Sequence, residues 1–180
     1  METKNSPYQM AMRYGLYYSL ASIIIDLTFF LLDLGASMNW LNGTLKLIIG
    51  VAIIYLGMKA RRDEELDGYM SYSRALGFGS IMVLFSALVL SVYAYVHMTF
   101  IDPEGIDRVM KEVKEQMILK NSSEEEIEMS LSMMRKMKSP AFSVPMSFIG
   151  GFVWGFILSL IIAIFVRKND PNEEYNSLNS

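Results

Sequence analysis

The sequence predicts an all-α polytopic membrane protein with about four transmembrane helices and an amphipathic helical hairpin outside the lipid. Apolar residues make up 52% of the 180 residues, which exceeds the usual share in soluble domains. They gather in four blocks, at residues 16–34, 45–58, 76–98 and 146–166, and most charged residues fall between the blocks. The blocks show almost no polar face, whereas each helix of a soluble bundle needs one.

The length of the blocks sets the predicted spans. A hydrocarbon core about 30 Å thick takes roughly 20 helical residues to cross. We predict a single membrane domain over residues 1–168, followed by a polar, disordered tail at 169–180. The helices are expected at about 12–34, 42–60, 75–100 and 145–166. The first apolar run is too long for a cleaved signal peptide and contains Asp26, so we expect the first helix to remain.

Helices one and two carry interfacial and packing signals. An aromatic group with a neighbouring arginine opens helix one, as is typical of the membrane–water interface, and it consists of Arg13, Tyr14, Tyr17 and Tyr18. In helix two, glycines recur every seven residues at Gly43, Gly50 and Gly57. Small residues at this spacing fall on one face and allow a neighbouring helix to approach closely.

A dense charged loop follows helix two and predicts the orientation of the chain. It runs from Lys59 to Glu65, and the turn signal Asp67-Gly68 then leads into helix three. Arg167 and Lys168 follow helix four directly. Because basic residues in short loops favour the cytoplasmic side, we predict that both termini are cytoplasmic.

Residues 102–138, between helices three and four, predict a hairpin of two amphipathic helices. Asp102-Pro103 reads as an N-cap followed by proline at the first helical position, and Ser123 with Glu126 reads as a capping box. On the second hairpin helix, Met129, Met133 and Met137 recur every four residues. Soft sulfur suits Cu(I), but methionine that fills a helix seam or contacts lipid is the more general interpretation.

Helix four carries a row of small residues spaced by four. The row consists of Ser147, Gly151, Gly155 and Ser159. Small residues at this spacing let two backbones approach closely in lipid, where van der Waals contact is the main attraction. We therefore predict that this face packs against another helix, either within the chain or from a second copy.

Five segments occur in the order Arg61-Arg62-Asp63-Glu64, Gly68-Tyr69-Met70-Ser71-Tyr72-Ser73-Arg74-Ala75-Leu76-Gly77, Ile101-Asp102-Pro103, Ser122-Ser123-Glu124-Glu125-Glu126-Ile127 and Lys138-Ser139-Pro140. By the order and spacing of these segments the chain resembles a bacterial membrane family, the domain of unknown function 4199, over nearly its whole length from helix one to Lys168. The resemblance implies a four-helix protein of the bacterial inner membrane. It implies no activity, substrate or catalytic residue.

Composition excludes several kinds of chemistry. A chain without cysteine has no disulfide, thiolate nucleophile or cysteine-based metal site, and one histidine cannot build a histidine-based metal centre. We interpret that histidine, His97, as an interfacial hydrogen-bonding residue near the end of helix three. We predict no catalytic residue, metal or cofactor. With a net charge of −3, we also predict no nucleic-acid partner.

Asp26 is the most unusual residue, because it falls near the middle of a predicted span. It belongs to a polar stripe on helix one that consists of Gly15, Ser19, Ser22, Asp26 and Asp33. We expect Asp26 to face the other helices as a neutral acid bonded to a hydroxyl such as Ser86 or Ser159. Lys46 and His97 are expected to lie nearer the outer surface, where they would be better partners for Asp33 than for Asp26. On this basis Asp26→Asn is predicted to be nearly neutral.

Two functions from different classes are compatible with these features. The first is a non-enzymatic interaction or structural component of the bacterial inner membrane, which meets lipids and self-associates or binds another membrane protein. The second is a small transporter or channel component that uses the polar stripe around Asp26.

Overall fold

A computed structural model describes residues 6–34 and 38–169 of this chain, and it is helical almost throughout. The helices are α1 (Pro7–Leu31), α2 (Asn39–Ala60), α3 (Tyr72–Val96), α4 (Gly105–Leu119), α5 (Glu124–Met137) and α6 (Pro140–Val166). Two π-helical turns, Arg61–Glu65 and His97–Ile101, extend α2 and α3. The predicted all-α class is confirmed. From residue 170 onward, the predicted disordered tail lies outside the described residues.

Four of the helices are long and apolar enough to cross a membrane. They are α1, α2 with its extension, α3 with its extension, and α6, with 25, 27, 30 and 27 residues. Each exceeds the roughly 20 residues that a bilayer core requires. The chain is therefore a multi-pass membrane protein.

The ends of α1 differ from the predicted helix at 12–34, since the whole helix lies closer to the N-terminus. Pro7 stands at the start of the helix, and the backbone N–H of Ser6 donates to Gln9 Oε1 over 3.3 Å. At the other end, Asp33 adopts a left-handed backbone with φ of 52°. Because a helix cannot continue through that conformation, α1 ends at Leu31.

The described residues form two compact units. The first contains the chain up to Val89 and from Gly151 onward, and the second is Leu90–Gly150. The second unit is larger than the predicted hairpin at 102–138, because it includes the last turns of α3 and the first turns of α6.

The core of the first unit is concentrated at one end. At this end the start of α1 and the end of α2 meet the start of α3 and the end of α6. The core residues are Met10, Ala11, Ile54, Met58, Met70, Ala75, Phe78, Met82, Val83, Ile162, Ala163 and Val166. The loop between α2 and α3 belongs to the same end, since Met70 forms an isolated antiparallel bridge with Lys168.

Two of the three regularly spaced glycines of α2 lie in close contacts. A methyl group added at Gly50 would lie 3.1 Å from the ring of Tyr18, and one added at Gly57 would lie 2.8 Å from the sulfur of Met82. Gly43 has nothing within 4 Å of such a methyl group. The seven-residue spacing thus marks close packing at two positions and open space at the third.

In the second unit, α4 and α5 form the hairpin. Ser123 caps α5, because the N–H of Glu126 donates to its hydroxyl over 3.2 Å and Ser123 N–H donates to Glu126 Oε2 over 2.9 Å. Lys138 bonds to Asp107 at 2.8 Å and ties the end of α5 to the start of α4. The expectation that Asp102-Pro103 caps α4 is wrong. The helix begins at Gly105, and Asp102 instead pairs with Arg108 at 2.5 Å.

Candidate functional site

The candidate site is a set of polar side chains between α1 and α2. Lys46 Nζ lies 2.5 Å from Asp26 Oδ1, and Asn42 Nδ2 donates to the same oxygen over 3.1 Å. The side chains of Asp26 and Lys46 are 27% and 31% exposed. Asp26 therefore has a cation and an amide donor as partners within the first unit.

This arrangement corrects the expectation that a hydroxyl of Ser86 or Ser159 would bind Asp26. Since α1 ends at Leu31, Asp26 lies only about 7.5 Å from the helix end at 1.5 Å per residue, rather than near the middle of the span. Lys46 lies near the start of the antiparallel α2, at the same depth. The Ser86 hydroxyl instead bonds to two backbone carbonyl oxygens, with Oγ 3.0 Å from Gly15 O and 2.9 Å from Met82 O.

The register of the two helices explains why these side chains meet. Tyr18, Ser22 and Asp26 follow one another every four residues on α1, and Asn42, Lys46 and Gly50 do the same on α2. Residues four apart share a helix face. In the antiparallel pair, Tyr18 lies against Gly50 at one end and Asp26 lies against Lys46 and Asn42 at the other. We call Tyr18, Ser22, Asp26, Asn42 and Lys46 the polar seam.

The N-terminal residues of the predicted stripe on α1, Gly15 and Ser19, contact α3 rather than α2. Ser19 Oγ donates to Gly15 O over 2.9 Å and lies 3.4 Å from Ser86 O. A methyl group added at Gly15 would lie 2.7 Å from the carbonyl oxygen of Met82. The backbones of α1 and α3 therefore approach closely here, and the hydroxyls bond to carbonyls rather than to Asp26.

The small-residue row of α6 faces α3 in the first unit. Ser159 lies against Gly79, Gly155 against Val83 and Gly151 against Ala87, so both helices contribute every fourth residue. A methyl group added at Gly155 would lie 2.9 Å from Val83. Ser147 belongs to the second unit, where its hydroxyl donates to Ser143 O of its own helix over 2.5 Å. The row thus supplies an internal helix seam over three of its four positions.

Most of the chain matches one family of known proteins. Residues 13–168 match the family described as "Protein of unknown function (DUF4199)". The chain belongs to this family. The DUF4199 match covers both described units, including the polar seam and the hairpin. No curated protein and no solved structure matches the chain.

The remaining candidate residues of this DUF4199 chain, Asp33 and His97, are not part of the polar seam. Asp33 is exposed and lies beyond the end of α1, so it does not continue the stripe. Lys46, which we expected to suit Asp33, pairs with Asp26. His97 lies in the second unit, where it begins the π-helical turn and its ring centroid is 5.5 Å from that of Tyr93.

Neither the contact of Asn42 with Asp26 nor the pairing of Lys46 with Asp26 was predicted from the sequence. The available signal was the four-residue spacing of Asn42, Lys46 and Gly50, which matches the spacing on helix one.

In the part of the chain that the structure describes, no three His, Asp or Glu side chains are placed to hold a metal ion. What the polar seam can do chemically is neutralise a charge at membrane depth, or exchange one ionic partner for another.

Proposed function

We propose that this DUF4199 protein is a non-enzymatic interaction component of the bacterial inner membrane. Its membrane helices form a closely packed anchor, supported by the glycine contacts at Gly15, Gly79 and Gly155. The hairpin provides the surface for a protein partner. The observation that carries this proposal is the methionine row of α5, since Met129, Met133 and Met137 are 69%, 70% and 44% exposed.

The methionine row has the properties of an adaptable contact surface. Leu131 lies on the other side of α5 and is buried, so the row is not the side that packs within the unit. Methionine is flexible and polarisable, and exposed methionines recur on surfaces that bind partners. Burial of three such side chains against a partner would remove apolar area from water and stabilise the complex.

A photo-crosslinking amino acid at Met133, incorporated into the full-length chain in native membranes, tests this proposal. We expect a discrete crosslinked band that contains this chain with another protein or a second copy. Glu128 is the matched control, because it is exposed on the same helix but faces away from the methionine row. Equal crosslinking at both positions, or crosslinks only to lipid at Met133, would contradict a specific partner on this row.

We also propose that both termini are cytoplasmic. Support comes from the basic residues at the core end of the first unit, where Arg62 donates to Val166 O over 3.0 Å and Lys168 pairs with the Met70 backbone. Arg61, Arg74 and Arg167 lie close by in the sequence. Clustered basic residues beside short loops favour the cytoplasmic side.

Cysteine labelling in cells tests this orientation, because the chain has no cysteine of its own. An impermeant maleimide is expected to label Ser122→Cys in the hairpin before the inner membrane is opened. Ser71→Cys, in the loop between α2 and α3, is expected to react only afterwards. The reverse pattern would place the hairpin in the cytoplasm.

A transporter or channel component remains the alternative function, and the polar seam is the observation that favours it. Charged residues within spans often mark ion or proton pathways. The two functions make different demands on Asp26. A structural ion pair can be replaced by a neutral hydrogen-bonded pair, whereas a proton relay needs a group that can take up and release a proton.

A further inference from the structure

A polar pocket of about 240 Å³ lies at the core end of the first unit. Glu65, whose carboxylate is paired with Arg61, and Asn169 line it. The side chains left to meet a ligand are Asp67, Tyr69, Ser71, Arg74 and Lys168. They come from the loop between α2 and α3, the first turn of α3 and the residues after α6. The pocket thus joins the ends of three membrane helices.

Backbone hydrogen bonds hold the walls of this pocket. Met70 N–H donates to Lys168 O over 2.8 Å, and Lys168 N–H donates to Met70 O over 2.9 Å. Gly68 has φ of 83° and its N–H donates to Arg62 O over 3.0 Å. Lys168 Nζ lies 5.1 Å from the centre of the Tyr69 ring, which holds the ammonium by a cation–π contact. The pocket is therefore formed by the fold itself.

Charges of both signs line the pocket. Two neighbouring arginines are already neutralised, because Arg61 pairs with Glu65 and Arg62 with Asp63. Among the described residues, no ion pair joins Arg74 or Asp67 to another side chain. One guanidinium and one carboxylate are thus available to a ligand in the same pocket.

The ends of transmembrane helices lie at the level of the lipid headgroups, so the span ends give the expected depth of this pocket. The candidate spans end at Glu65 and Val166 and begin again at Tyr72, so the pocket lies just beyond three span ends. Tyrosine and basic residues are typical of this level of the bilayer. The molecules available there are phospholipids, whose headgroups carry a phosphate and in some cases an amine.

We propose that this pocket binds the phosphoethanolamine headgroup of a membrane phospholipid. The phosphate lies between the Arg74 guanidinium and the Lys168 ammonium, since both groups donate charge-assisted hydrogen bonds to phosphate oxygens. Ser71 Oγ accepts from the backbone N–H of Arg74 over 3.4 Å, which leaves its own hydroxyl hydrogen to donate to the phosphate. The primary ammonium of the headgroup donates to the Asp67 carboxylate.

The mixture of charges explains the choice of headgroup. A purely anionic headgroup would be repelled by the carboxylate of Asp67, and a lone cation would be repelled by Arg74 and Lys168. A choline headgroup carries both charges, but its trimethylated nitrogen has no N–H to donate to Asp67. A headgroup with a phosphate and a primary amine satisfies both sides of the pocket.

Native mass spectrometry of the purified full-length chain tests the proposal. The chain is exchanged against phosphatidylethanolamine, phosphatidylglycerol and phosphatidylcholine of the same acyl composition. We expect phosphatidylethanolamine to be retained about tenfold more than either other lipid, a difference typical of one or two charge-assisted hydrogen bonds. Equal retention of the three lipids would overturn the proposal.

Charge-neutralising variants assign the retention to this pocket. Arg74→Gln is expected to abolish the excess retention of phosphatidylethanolamine, while Lys59→Gln, which removes a basic charge outside the pocket, leaves it unchanged. Asp67→Asn is expected to raise phosphatidylglycerol retention to that of phosphatidylethanolamine. Asparagine tolerates the positive φ of 51° at this position, so the loop keeps its conformation. Equal effects of Arg74→Gln and Lys59→Gln would contradict the assignment.

A soluble headgroup identifies the source of the ligand. Free O-phosphoethanolamine and inorganic phosphate are added separately to the delipidated chain, and the melting temperature is recorded. We expect neither compound at millimolar concentration to match the stabilisation by the lipid. Stabilisation by free O-phosphoethanolamine without retention of the lipid would overturn the membrane lipid as the ligand.

Discussion

Asp26→Asn is expected to lower the free energy of unfolding by about 1–3 kcal/mol, because it leaves the Lys46 ammonium without its anion at membrane depth. The lower end of this range applies if water reaches the pair, whose side chains are 27% and 31% exposed. The sequence alone predicts a nearly neutral effect, since a neutral acid bonded to a hydroxyl would accept this change. The ion pair reverses that prediction.

The double variant Asp26→Asn with Lys46→Gln separates charge from shape. It removes both charges and keeps two amides that can bond to each other, so we expect it to recover most of the lost stability. Denaturant unfolding in detergent micelles gives the values for the two single variants and the double variant. Asp33→Asn is the control, because Asp33 is exposed beyond α1, and its effect is expected to be within about 0.5 kcal/mol. Additive losses in the double variant would show that the two side chains do not interact.

The same double variant distinguishes the two proposed functions. An interaction component needs only a stable fold, so a chain with a neutral pair and normal abundance is expected to complement a deletion strain. A proton or ion relay through Asp26 requires the titratable group. Loss of complementation in a variant that unfolds like the parent would favour the transporter.

Gly15→Ala is expected to destabilise the chain by about 1–3 kcal/mol, as is usual when atoms are inserted into a packed contact. The added methyl group would lie 2.7 Å from the carbonyl oxygen of Met82, and a backbone carbonyl within a helix cannot move aside. It would also lie 3.2 Å from Ser86 Oγ, whose hydrogen bond to Gly15 O would be disturbed. These effects outweigh the gain of about 1 kcal/mol that alanine brings to a helix interior.

Two other helical glycines supply matched controls for that variant. Gly43 and Gly77 have no atom within 4 Å of an added methyl group. Gly43→Ala and Gly77→Ala are therefore expected to leave the melting temperature in detergent unchanged or to raise it slightly. If all three alanine variants melt alike, the close contact between α1 and α3 is absent from the protein in detergent.

Local features of the chain were predicted well, because their causes lie within a few residues. Ser123 and Glu126 form the capping box of α5 that their spacing indicates. Three of the four small residues on α6, namely Gly151, Gly155 and Ser159, lie against α3, since spacing by four places such residues on one side. The exact ends of α1 were not predicted, because an apolar block shows where lipid contact is favourable but not where the backbone leaves the helix.

What the sequence by itself determined is the all-α class, the four spans and the family. Partition between lipid and water depends on the composition of each segment, so segments can be assigned without knowledge of their neighbours. Only the tertiary structure decided that Asp26 pairs with Lys46 and that Arg74 and Lys168 share a pocket. Both depend on how distant helices align in depth and rotation. That alignment is set by close contacts such as Gly50 with Tyr18 and Gly15 with Met82, which no single segment contains.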